Sequence, residues 1–84
     1  HAETSIAVAC ERAFLAALDG SCKTPIAGHA TVSGDAVHFH GLIARPDGSA
    51  AHDIAGTGRR KDAVAIGSDS GRELKHRAGP GFFD

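Results

Sequence analysis

The chain has 84 residues, with nine Lys and Arg against ten Asp and Glu, and its formal charge of −1 gives no global pull toward nucleic acid or anionic lipid. Surface scaling gives roughly 4,700 Å² folded against roughly 12,000 Å² unfolded, enough for one modest core over residues 1–84 and no separate substrate domain. No apolar run approaches the ~20 residues needed to span a bilayer, and no charged and then apolar leader opens the chain, so a cytoplasmic protein without a membrane partner is expected.

The chain has no methionine and begins at His1 with helix-like sequence, which reads as part of a longer polypeptide. From about Glu3 to Leu18, the apolar residues Ile6, Cys10, Ala13, Phe14, Ala17 and Leu18 recur at three and four, one stripe of an amphipathic helix. Glu11 and Arg12 fall off that stripe. Glu3 or Thr4 is placed to accept from the first-turn amides, and Asp19-Gly20 supplies the stop.

A loop follows, Gly20-Ser21-Cys22-Lys23-Thr24-Pro25, and then strand signals over Ile26 to Val32 and Ala36 to Ala44, separated by the tight turn Ser33-Gly34-Asp35. In the second strand Val37, Phe39 and Ile43 point one way, and His38 and His40 the other. Leu42 lands on the histidine face, so either Gly41 marks a bulge or another domain covers part of that face.

Arg45-Pro46-Asp47-Gly48 is a turn in which proline presets the second position and glycine takes the left-handed one. A third strand is expected from about Ala50 to Gly56. Its inward face is open, because His52 and Ile54 share one side while Ala51 and Ala55 share the other.

A second helix is expected from about Lys61 to His76, with Val64, Gly67, Gly71, Leu74 and Ala78 on one side. Its two glycines cost roughly 1 kcal/mol each relative to alanine, so the helix leans on packing, with close approach of its backbone to the sheet as the expected compensation. Gly79-Pro80-Gly81 ends it, and Phe82-Phe83-Asp84 reads as a loose tail. The order is α-β-β-β-α: an α+β domain with a three-stranded antiparallel sheet and two helices packed on one face.

Cys10 and Cys22 are expected to be unbridged. At about 1.5 Å of helical rise per residue their separation far exceeds the ~7 Å reach of a disulfide. Cys10, at stripe spacing between Ile6 and Phe14, reads as core. Cys22 sits beside Lys23, which favours thiolate, but after a helix C-terminus, which disfavours it. With no base and orienting partner nearby in sequence, a self-contained cysteine hydrolase is disfavoured. A thiol that reacts once with a strong electrophile needs far less activation, and Cys22 suits such a covalent anchor.

Glu11-Arg12-Ala13-Phe14-Leu15, the loop Gly20 to Gly28, Gly41-Leu42-Ile43-Ala44-Arg45-Pro46-Asp47-Gly48-Ser49, and Gly67 with Gly71-Arg72-Glu73-Leu74 together resemble the C-terminal domain of the porphobilinogen deaminase (hydroxymethylbilane synthase) family. The resemblance spans essentially the whole chain. It implies a transferase of tetrapyrrole (porphyrin, heme) biosynthesis that joins four porphobilinogen molecules into hydroxymethylbilane with release of ammonia. It also implies that Cys22 carries the covalent dipyrromethane cofactor through a thioether, formed when sulfur captures the methylene-pyrrolenine left by loss of ammonia.

Many members have Gly-Gly-Cys where this chain has Gly20-Ser21-Cys22. The family's catalytic aspartate and its carboxylate-gripping arginines belong to two N-terminal domains, to which nothing here matches. The resemblance therefore implies a monomeric enzyme whose porphobilinogen and growing pyrrole chain meet this domain together with the two absent ones. The isolated chain is expected to be inactive, with Cys22 a free thiol.

Six histidines are many for this length. Pleat alternation gathers His29, His38, His40 and, on one reading, His52 on the open sheet face. No tight metal-ligand spacing accompanies them, so polar strand residues are the better reading and no metal is expected. The alternative from another class is a double-stranded-RNA-binding module, which shares the α-β-β-β-α order and for which Arg59-Arg60-Lys61 would be the phosphate contact. The charge of −1 and Asp62 inside that cluster weigh against it.

Overall fold

The computed structural model describes residues 2–18, 25–79 and 82. Helix α1 spans Ala2–Ala17, and strands β1 (Ile26–Ser33), β2 (Ala36–Ala44) and β3 (Ala51–Arg59) follow it. A 3-10 turn at Arg60–Asp62 leads into α2, Ala63–Ala78. The strands form one antiparallel sheet in the order β1-β2-β3, the α-β-β-β-α architecture expected from the sequence.

The two hairpins arise from local chemistry. Gly34 takes φ +59° in the two-residue turn that pairs Ser33 with Ala36. In the second turn the Gly48 N–H donates to the Arg45 carbonyl at 2.9 Å, Gly48 takes φ +77°, and Asp47 Oδ1 accepts from the Ser49 N–H at 2.9 Å. That last bond draws the Asp47 carboxyl below its usual value.

Pleat alternation decides what the sheet presents to the helices. Val37, Phe39 and Ile43 are buried, with Ala30 beside them, and Cys10, Phe14, Leu18, Ala63 and Leu74 close the core from the helical side. No bulge occurs at Gly41, because Gly28, Gly41 and Ile54 remain in continuous register. Gly28 and Gly41 are cross-strand partners, and together they bare a patch of backbone on which Phe14 lies: a Cβ on Gly41 would stand 2.6 Å from the Phe14 ring, and one on Gly28 2.9 Å. The Phe14 and Phe39 rings meet with centroids 4.9 Å apart, tilted by 56°. Leu42 stays on the outer face, 40% exposed.

Several sequence expectations are corrected. Strand β3 runs to Arg59 rather than ending at Gly56, because it pairs with β2 over its whole length, and Gly56 and Gly58 leave room for Ile66 of α2. Helix α2 begins at Ala63 and extends to Ala78, with Arg60–Asp62 forming a tighter 3-10 entry. Its buried stripe is Ala63, Gly67, Ser70, Gly71 and Leu74. Val64, about 100° round the helix from Ala63, is 57% exposed.

Gly67 and Gly71 approach α1 rather than the sheet, their absent side chains facing the Cys10 and Phe14 carbonyls. At its start α1 uses Glu3 differently from the expected cap, since the carboxylate accepts from the Gly34 N–H at 3.3 Å, across on the first hairpin. His52 is on the inward side of β3, half-buried, and not on the open face.

Of the expected tail, Phe82 lies among the described residues. Phe82 is buried, with His52 edge-on at a centroid distance of 5.5 Å and the Arg45 guanidinium 5.2 Å from its ring centre. Among the described residues no helix is long and apolar enough to cross a membrane.

Candidate functional site

Cys22 and its neighbours 19–24 lie outside the described residues, and what the fold defines is the frame on either side of them. Helix α1 ends with Leu18 sealed in the core, its N–H donating to the Phe14 carbonyl at 3.2 Å. On the far side the Pro25 carbonyl accepts from the Ala44 N–H at 3.1 Å, which ties the entrance of β1 to the end of β2.

Helix α1 lies antiparallel along β1, and three contacts mark the alignment: Glu3 with Gly34, Glu11 with Ala30, and Phe14 over Gly28. The spacings agree physically, since eight helical residues rise about 12 Å and four strand residues about 13 Å. Glu11 Oε2 accepts the Ala30 N–H at 2.8 Å. Strand β1 is an edge strand, so that amide points away from β2, and a carboxylate satisfies it with a charge-assisted bond.

Helix α2 does the same at the opposite edge, where Arg77 Nη1 donates to the Asp53 carbonyl at 3.3 Å. Between α1 and the β1 edge lies a shallow groove of about 290 Å³, lined by Glu3, Thr4, Ala7, Ala30, Thr31 and Val32.

Sequence periodicity missed Glu11. An apolar count registers only that it leaves the buried stripe. The available signal is its place three residues before Phe14, on the flank that turns toward β1.

Of the two cysteines, Cys10 lies among the described residues. Cys10 is a free thiol with 0% exposure, and burial, assisted by the neighbouring Glu11 carboxylate, pushes its pKa up against a smaller opposing effect of the Gly67 backbone. A protonated, sealed thiol cannot take a covalent substituent.

The described histidines do not assemble into a metal centre. His29 and His40 are cross-strand partners on the open face, and His40 Nε2 lies 3.0 Å from Asp53 Oδ2, while His29 Nδ1 is 3.8 Å from Glu11 Oε2. Among the described residues no three His, Cys, Asp or Glu side chains converge as metal ligands. The Arg59-Arg60-Lys61 cluster straddles the end of β3 and the 3-10 turn, with Asp62 beside it.

A one-sided α+β sandwich that anchors both ends of a short cysteine-containing connection is the class of domain these residues define. The family model described as porphobilinogen deaminase, C-terminal domain, matches residues 5–76, and the chain belongs to that family. The porphobilinogen deaminase of Nitrobacter hamburgensis is 54% identical over 81 residues, covering 96% of this chain and 26% of that protein. That of Nitrobacter winogradskyi is 52% identical over the same length and the same shares. The chain thus spans about a quarter of the length of the curated relatives it matches.

Proposed function

We propose that this chain is the C-terminal, third domain of a porphobilinogen deaminase, a transferase of tetrapyrrole biosynthesis that joins four porphobilinogen molecules into hydroxymethylbilane with loss of ammonia. In this reading residues 1–84 form a single domain whose task is to hold the dipyrromethane cofactor on Cys22. The observation that carries it is the family match across residues 5–76, which brackets the Cys22 connection and both of its framing elements.

The burial of Cys10 supports this reading. Cys10 is sealed in the core beneath Gly67, which supports assigning the group to the chain's other sulfur, Cys22. When bound, the dipyrromethane supplies the free α-position to which porphobilinogen units add.

The roles of this chain's residues follow from chemistry. Sγ of Cys22 forms a C–S bond as the C–N bond of an aminomethyl-pyrrole breaks, and the nitrogen leaves as ammonia with the thiol proton. The resulting thioether is not reversed by cellular thiols, because thiol exchange cleaves S–S bonds and not C–S bonds. Leu18 and Pro25 fix the ends of the connection that carries the sulfur. Acid-base catalysis and recognition of the pyrrole carboxylates fall to portions of the full-length enzyme outside these residues, so the isolated chain is inactive and its Cys22 is free.

Intact mass measurement of the full-length protein, with peptide mapping, tests the reading. Added mass equal to two pyrrole units on the Cys22 peptide is expected. Normal attachment in a Cys22→Ser variant would sink the anchor role.

A further inference from the structure

We infer that the outer edge of β1 is a latent self-association surface that fits the same edge of a second copy of this chain, and that Glu11 is the side chain that keeps it closed. The inference stands apart from the role proposed for Cys22.

Strand alternation defines the edge. The Ala30 N–H points away from β2, so the backbone groups of Gly28 and Val32, two residues to either side, point the same way. An antiparallel strand is matched by its own copy about a two-fold axis, and an axis at Ala30 centres the pairing on these three residues. That register sets Gly28 against Val32 of the second copy and His29 against Thr31 of the second copy, so no like charges oppose each other along the strands. A shallow groove leaves Ala30, Thr31 and Val32 approachable past Thr4 and Ala7 of α1.

The carboxylate opposes this pairing in two ways. At the centre of the seam the Ala30 residues of the two copies would exchange N–H and C=O, and Glu11 Oε2 already holds that N–H at 2.8 Å. Closing the seam therefore breaks a charge-assisted bond in each copy. It also brings two carboxylates to one axis, where repulsion and desolvation act together.

The opposite edge of the sheet is closed by the complementary means, with Arg77 Nη1 on the Asp53 carbonyl at 3.3 Å. A bare strand edge is a template for pairing, and a charge turned onto it is one of the devices that block it. Glu11 supplies that charge at the middle of β1.

The test uses the full-length deaminase carrying this domain, prepared as wild type, Glu11→Ala, Glu11→Lys and the double variant Glu11→Ala with Val32→Pro. Sedimentation equilibrium reads association, and amide hydrogen exchange reads Gly28, Ala30 and Val32 at low and high protein concentration. Wild type stays monomeric to about 100 μM, whereas Glu11→Ala is half-dimeric at or below about 10 μM, at least about tenfold tighter. In that variant Ala30 exchanges faster than in wild type while monomeric, and Gly28, Ala30 and Val32 become protected as the dimer forms.

Glu11→Lys loses the bond to Ala30 but keeps a charge at the axis, so Ala30 exchanges faster and the protein stays monomeric. Val32→Pro removes an outward N–H without costing β1 a bond to β2, so the double variant returns to monomer. Glu11→Ala that stays monomeric at every concentration would overturn the inference. A dimer that survives Val32→Pro, that forms equally in Glu11→Lys, or that leaves Gly28 and Ala30 unprotected would overturn it too, because its seam would lie elsewhere.

Discussion

The Cys10 carbonyl oxygen lies directly over the α carbon of Gly67, inside the space that any β carbon would occupy, so α1 and α2 meet backbone to backbone. One turn along, Gly71 repeats the contact against the Phe14 carbonyl and the Ala17 methyl, where a β carbon would stand 2.8 and 2.7 Å away. The glycines that weaken α2 as a helix thus set its distance from α1.

Gly67→Ala puts that relationship to a stability test. Alanine gains about 1 kcal/mol of helix propensity, but its methyl meets a carbonyl of the opposing helix, which has no rotamer to escape into. A net loss of about 3 kcal/mol in urea unfolding is expected. Gly56→Ala is the comparison. Its added methyl would sit 3.3 Å from Ile66 Cγ2 and 3.4 Å from Ser70 Oγ, side-chain contacts that a shift of a few tenths of an ångström relieves, so its stability should change by less than about 1 kcal/mol. Equal losses at the two positions would contradict the backbone contact.

These glycine contacts also show what a sequence conveys and what it does not. Apolar spacing located α1 through Phe14 and Leu18, and period-two alternation located β2 through Val37, Phe39 and Ile43, because burial is written in the pattern of each element. Which element covers which is not written there. Gly67 and Gly71 were legible as small residues on one flank, but their partner, α1, depends on how both helices share the sheet. His52 was ambiguous for the same reason: nothing local in β3 says that Phe82 returns from beyond α2 to meet it. Glu11 was the costliest omission, since a polar residue that serves a distant edge amide leaves no periodic trace.

Phe82 should measure how firmly the end of the chain is held. It is 4% exposed, against His52 and under the Arg45 guanidinium. Phe82→Ala is expected to cost about 3 kcal/mol in unfolding free energy, within the range for truncating a buried aromatic. Loss of the Phe82 contact should also speed amide exchange in β3 near His52. A variant with unchanged stability and exchange would show that the aromatic contact is not populated in solution.

The Arg45–Gly48 turn carries a pH dependence of defined sign. Asp47 is held below its usual value mainly by the Ser49 N–H, so its ionised form supports the turn above the ordinary carboxylate value of about 3.9, and the support is lost as pH falls through the lower folded value. An NMR titration should show the Ser49 amide resonance moving with a midpoint below about 3.9, and Asp47→Asn should abolish that midpoint. A midpoint at or above the ordinary value would mean the bond does not form.

Cys10 gives a prediction in which reactivity reads burial. The thiol is fully enclosed, and its pKa is raised chiefly by desolvation, with Glu11 adding to the shift. Both the scarcity of thiolate and the lack of access oppose alkylation, and they act together. Iodoacetamide at pH 8, followed by peptide mapping, should leave Cys10 unmodified in the folded protein, while the same treatment in denaturant should modify it fully. Native-state labelling of Cys10 at the rate of an exposed thiol would refute the packing of Gly67 over this residue. It would also reopen Cys10 as a site for the pyrrole group, because the assignment to Cys22 draws part of its force from the closure of the other sulfur.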